Sequence, residues 1–113
     1  MYNALSQLKT VEDALVVHLQ NEQIDQLVLF VRTLTKVDTN LVNQHIQKNC
    51  SPRHVPDAIY ITQEIPYTIS GKKVEIPIKR ILMGENPKDV ISSDALRNPT
   101  ALNWYIDFAK KLR

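Results

Sequence analysis

The sequence predicts a small α+β domain: a three-stranded central sheet flanked by helices, with an extra helix at the C-terminal end. Two apolar, β-branched runs, "EDALVVHLQ" (12–20) and "QLVLFVRTL" (26–34), are separated only by the polar "NEQID" and read as neighbouring strands. A third run, "DAIYITQE" (57–64), alternates Ile59 and Ile61 against Ala58, Tyr60 and Thr62, which is the period of a strand. Segments of helical period lie between and after these runs.

The chain opens with Tyr2, Leu5 and Leu8 at helical spacing but without a capped beginning, as in the remainder of an amphipathic helix. The first two strands are almost continuously apolar, which predicts burial on both faces. Asp38 or Thr39 supplies the cap of a helix whose inner face is Leu41, Val42, His45 and Ile46. Pro52 ends it by disfavouring helical geometry at Ser51. After the third strand Pro66 stops regular pairing. A short helix follows, with Pro77 in its first turn, Ile78, Ile81 and Leu82 on its buried side, and Gly84 just past its end. Residues 85–96 read as polar and irregular. Asn98 and Pro99 then form an N-cap and first-turn pair for a final helix reaching about Leu112. Its Leu102, Trp104, Tyr105, Ile106 and Phe108 cover more than one face, so it has either a wide internal contact or a second surface outside the domain.

Composition narrows the function classes. At 113 residues with 43% hydrophobic residues the chain can build a single core. Its 14 Lys and Arg against 12 Asp and Glu leave a net charge of +2, too slight for general nucleic-acid or membrane-surface binding. An RNA-binding sheet would also interleave exposed aromatics with cations, whereas Phe30 and Tyr60 have little charge around them. Cys50 has no disulfide partner, and no Cys/His cluster has metal-ligand spacing, so a reducing, cytoplasmic setting is expected and no metal site. Neither a signal peptide nor an apolar run of roughly 18 residues is present, so no membrane span is expected. His18 and His45, without acidic or cysteine partners at useful spacing, read as packed residues.

The chemistry concentrates in "PYTISGKK" (66–73), which holds one of only two glycines in the chain. Gly71 permits positive φ and lets a ligand approach the backbone. Lys72, on a loop anchored by a strand and a helix, can bring an ammonium group to a phosphate or a developing oxyanion. A solvated surface turn is the commoner use of such residues. A Walker-type phosphate loop is excluded, because Pro66 stands where its first glycine is required and Lys73 where its hydroxyl residue is required.

The order of strand, Pro66, four residues, Gly71, Lys72 and a basic amphipathic helix resembles the final core motif of the adenylate-forming enzymes. These are the acyl-CoA synthetases, the luciferases and the adenylation domains of peptide synthetases. The resemblance spans nearly the whole chain, as "VEDALVVHLQ", "DQLVLFV", the capped helix and "SPRHVPDAIYITQEIPYTISGKKVEIPIKRILMG" follow the order of that superfamily's small C-terminal domain. "SPRHVPD", "IPYTISGKKVE" and the appended "LRNPTALNWY" are most similar to the acetoacetyl-CoA synthetase subgroup, which carries an extended C-terminal tail.

This resemblance implies a mobile lid domain over residues 1–84, truncated at its start, and a C-terminal extension with a helix over 85–113. The implied reaction is a two-step ligation. A carboxylate, here acetoacetate by the subgroup resemblance, attacks the α-phosphate of MgATP to give acyl-adenylate and pyrophosphate; the coenzyme A thiol then displaces AMP. Lys72 matches the family's catalytic lysine and would serve the first step only, with Gly71 and Ser70 beside it at the substrate. Some relatives hold a coenzyme phosphate with an arginine at the position of Gln47, for which Lys48 or Arg53 can substitute. The large N-terminal domain that binds ATP and the carboxylate is the implied partner, so the 113 residues alone are expected to be inactive. As a mobile lysine, Lys72 is also an expected target of a lysine acetyltransferase and deacetylase. The alternative is a stand-alone protein-interaction module derived from the same domain.

Overall fold

The computed structural model describes residues 5, 11–20, 22–23, 25–33, 39–49 and 55–112. They form two compact units, Met1–Thr62 and Gln63–Arg113.

The first unit holds the predicted three-stranded sheet. Strand β1 (Asp13–Gln20) pairs antiparallel with β2 (Asp25–Arg32), and β2 pairs in parallel with β3 (Ala58–Ile61). Helix α1 (Thr39–Asn49) connects the two parallel strands, as a parallel pair requires. The register brings Ala14 opposite Val31 and Val16 opposite Leu29, so these four share one face. There they join Leu5, Val11, Val42, Ile46, Val55 and Ile59 in a core cluster. Leu15, Val17, Val28 and Phe30 belong to the opposite face and are also buried, which explains the unbroken apolar run of β2. Asp57 sets the register of β3. Its carboxylate accepts the Leu27 N–H at 2.7 Å, while its own N–H donates to the Leu27 carbonyl at 2.7 Å.

Several sequence expectations are corrected in this unit. Leu41 is 59% exposed, because Val42 and Ile46 alone carry the inner stripe of α1 while His45 is half-buried. Ile61 is 54% exposed and β3 stops there, with Thr62 buried instead. His18 is exposed and hydrogen-bonded to the Asp25 carboxylate; hairpin pairing brings together two residues whose sequence spacing gave no hint of it. Tyr2, Leu8, Asp38, Cys50, Ser51, Pro52, Arg53 and His54 lie outside the described residues.

In the second unit helix α2 (Glu75–Leu82) buries Ile78, Ile81 and Leu82, as its spacing predicts. It closes with Gly84 at φ +110°, whose N–H donates to Ile81, and with Glu85 N–H donating to Arg80. These two bonds are a Schellman closure, which satisfies the last carbonyls of the helix. The stretch expected to be irregular contains a short helix α3 (Pro87–Val90), capped by the Asn86 side chain, and a single 3-10 turn at Ser93–Ala95. Helix α4 (Ala101–Leu112) packs on α2 and buries Ala101, Leu102, Tyr105 and Ala109. Trp104 and Phe108 are half-buried and stack with centroids 5.1 Å apart. The helix is therefore wide-faced but largely used inside its own unit. No described helix is long and apolar enough to cross a membrane.

Candidate functional site

Lys72 sits on a tight hairpin in the second unit. Tyr67 and Lys73 form an antiparallel bridge, the Thr68 N–H donates to the Lys72 carbonyl at 2.8 Å, and the Gly71 N–H donates to the Thr68 carbonyl at 2.9 Å. Three residues, Ile69, Ser70 and Gly71, close the loop. A three-residue hairpin loop needs its last position in the left-handed region, and Gly71 has φ +92°. The Thr68 hydroxyl accepts the Lys72 N–H at 3.1 Å and shares a hydrogen bond with the Ser70 hydroxyl at 3.0 Å. Ser70 thus helps shape the loop, in addition to any contact with a ligand.

The outcome is an exposed ammonium on a backbone held from both ends. Gly71, Ser70 and Lys72 are all exposed, and among the described residues Lys72 has no ion pair. Val74 anchors the exit of the loop by burying its side chain and donating its N–H to the Pro66 carbonyl at 3.2 Å.

A second layer came from residues that sequence reasoning missed or misread. Thr68 pairs with Leu96 in another antiparallel bridge, Ile69 N–H donates to the Ala95 carbonyl at 3.0 Å, and Arg97 N–H donates to the Tyr67 carbonyl at 2.9 Å. The Arg97 guanidinium reaches the Ile69 carbonyl at 3.4 Å, and one of its nitrogens would lie 3.2 Å from a Cβ placed on Gly71. Asn98 does not cap α4. Its Oδ1 accepts the Tyr67 N–H at 3.0 Å, and its Nδ2 donates to the Glu64 carboxylate at 2.9 Å and the Ile65 carbonyl at 3.0 Å. An Asn-Pro pair before an apolar helix carries the same sequence signal for either use, and only the fold separates them.

Of the predicted site residues, this hairpin holds Ser70, Gly71 and Lys72. Lys48 is exposed in the last turn of α1, in the first unit, where it complements the helix dipole. Arg53 is outside the described residues. Arg80, in the basic helix that follows the hairpin, is held in a two-pronged pair with Glu85 at 2.6 and 2.9 Å. The hydrogen bond from Arg80 lowers the Glu85 pKa below its ordinary value, and Glu85 in turn raises that of Arg80. Its positive charge is thus partly compensated on its own surface. Among the described residues no group of three His, Cys, Asp or Glu side chains could hold a metal ion.

Comparison with known proteins gives a consistent outcome. The chain is 33% identical over 115 aligned residues to an acetoacetyl-CoA synthetase of Caenorhabditis elegans, covering 96% of this chain and 16% of that protein. It is 36% identical to acetoacetyl-coenzyme A synthetase of Rhizobium meliloti, covering 93% of this chain and again 16% of the relative. Among solved structures, the acetoacetyl-CoA synthetase of Streptomyces lividans superposes with a TM-score of 0.91 at 29% identity, over 99% of this chain and 18% of that one. The chain therefore spans about a sixth of the length of the relatives it matches. No family model matches it.

Proposed function

We propose that this chain, a homologue of one segment of the acetoacetyl-CoA synthetases consistent with their C-terminal domain, is the mobile domain of an ATP-dependent acyl-CoA ligase. Residues 1–84 form the lid and 85–113 its extension. The enzyme is cytoplasmic and joins a carboxylate, most naturally acetoacetate, to coenzyme A. MgATP is a substrate and is converted to AMP and pyrophosphate. A large N-terminal domain of the same polypeptide holds the nucleotide and the acid, and without it the 113 residues are inactive.

In the first step a carboxylate oxygen forms a bond to the α-phosphorus while the bond to pyrophosphate breaks. Two anions must be brought together, and a cation about 4 Å from one of them is worth roughly 4 kcal/mol at an effective dielectric of 20, before desolvation. Lys72 supplies that cation. Gly71 and Ser70 let the loop approach closely, and the domain then turns so that Lys72 withdraws before the thiol attacks the acyl carbon. In that second step a coenzyme phosphate is held by Arg53 or, as the weaker candidate, by Lys48.

The observation that carries this reading is the exposed ammonium of Lys72, which has no ion pair among the described residues, on a loop whose backbone is fixed at both ends. Fixed backbone with a free charge is what transition-state stabilisation without reorganisation requires. Ile69 and Ile76, 65% and 71% exposed in the same stretch, add apolar surface suited to docking on the larger domain. An interaction module built on the final helix is less favoured, because α4 buries its main stripe within its own unit.

The test is acetoacetate-dependent ATP–pyrophosphate exchange in a polypeptide joining this chain to the large domain. Lys72→Ala should lower exchange about a hundredfold or more, the scale of losing one oxyanion stabiliser, while thioester formation from supplied acyl-adenylate persists. Lys72→Gln, which mimics acetylation, should do the same; undiminished exchange in that variant would end both the catalytic and the regulatory readings.

A further inference from the structure

Residues 95–98 belong to the extension, yet most of the hydrogen bonds they make go to the segment that carries the lysine hairpin. Four hydrogen bonds join Ala95, Arg97 and Asn98 to the backbone of Ile65, Tyr67 and Ile69, and the Arg97 side chain adds a fifth. Leu96, buried between them at 4% exposure, anchors this segment to the interior. The hairpin by itself is three loop residues closed by a few bonds. Such short two-stranded ribbons are marginal in water without a third strand or a packed face.

We infer that the 95–98 segment, with Asn98 as its clamp, is a positioning element for the Lys72 hairpin, so that the extension belongs to the adenylation machinery. Asn98 is suited to this role because it satisfies one donor and two acceptors on the entry strand at once, using both ends of its amide. Arg97 completes the brace by covering the outside of Gly71. Neither residue needs to touch substrate. They hold the backbone from which Lys72 projects, and a misplacement of about 1 Å at such a group can cost up to a hundredfold in rate. The consequence for catalysis rests on the role proposed above for Lys72; the brace itself does not.

Two readouts separate these claims. The first is amide hydrogen exchange in the 113-residue chain carrying Asn98→Ala. Tyr67 loses its partner in any case, so the informative amides are Thr68 and Gly71, whose acceptors lie inside the hairpin. They should exchange about tenfold faster or more as the hairpin opens locally, while Ile81 and Leu82 in α2 keep their protection. If faster exchange is confined to Tyr67, the brace is refuted. Should α2 also lose protection, the same two amides are read in Arg97→Gln, which removes only a side-chain contact. About threefold faster exchange is then expected, and no change overturns the inference.

The second readout is catalytic, in the polypeptide that includes the large domain. Asn98→Ala should lower turnover in ATP–pyrophosphate exchange by about tenfold to a hundredfold, with KM for ATP and the thioester step unaltered. Equal losses in both half-reactions would assign Asn98 a merely structural role and overturn the catalytic part. If the hairpin loosens but Lys72→Ala itself leaves exchange intact, the proposed role of Lys72 fails while the brace stands.

Discussion

Replacing Gly71 with alanine should destabilise the chain by about 0.5–2 kcal/mol, and the magnitude follows from the loop geometry. Gly71 has φ +92°, where an L-residue costs about 1–2 kcal/mol relative to glycine. The new methyl would lie 3.2 Å from a terminal nitrogen of Arg97. That end of the side chain can swing away, but in doing so it gives up its 3.4 Å bond to the Ile69 carbonyl, worth about 0.5 kcal/mol at an exposed site. Alanine also restricts the unfolded chain, which offsets about 0.4–1 kcal/mol. With a urea slope of about 1–3 kcal/mol per molar for a small protein, the unfolding midpoint should fall by about 0.2–2 M. Asparagine, which tolerates positive φ better than alanine, should lose roughly half as much. Equal midpoints for Gly71→Ala and the unsubstituted chain, or a larger loss for asparagine than for alanine, would refute the claim that backbone conformation is what this position requires.

Other substitutions test the packing and the charge pairing. On α1, Ile46→Ala should cost about 2–5 kcal/mol in urea unfolding because the side chain is fully buried. Leu41→Ser on the same helix should stay within about 0.5 kcal/mol, as expected for a surface position. The Arg80–Glu85 pair predicts a small pH effect of definite sign. Because the folded Glu85 pKa is lowered, its contribution is present above the ordinary glutamate pKa and is lost as pH falls through the folded value. An NMR titration should find the Glu85 midpoint lower in the unsubstituted chain than in Arg80→Ala; identical midpoints would mean the pair does not persist in solution.

Local chemistry made much of this protein legible before any coordinates. The β-branched runs at 12–20 and 26–34 predict β1 and β2 because their burial is a property of the strands' own composition. The spacing of Ile78, Ile81 and Leu82 predicts α2, and Gly84 its closure, since both are governed by bonds within about one helical turn. The glycine and lysine of the hairpin are equally local, because a left-handed position in a three-residue loop requires Gly71 whatever surrounds it.

What the sequence left undecided depends on contacts between distant residues. Whether Asn98 caps the helix that follows it or clamps a strand more than thirty residues earlier depends on where Tyr67 lies in space. Leu41, Val42 and Ile46 are all apolar residues of α1, and only the placement of the sheet determines that Val42 and Ile46 are buried and Leu41 is not. His18 finds Asp25 through strand pairing, and Arg80 finds Glu85 because a positive-φ glycine turns the chain back over the helix end. Residue type and spacing thus determined most of the elements and placed Gly71 and Lys72 on a turn. The tertiary structure decided which polar groups hold that lysine's loop, because a hydrogen bond between remote segments has no signature in either segment alone.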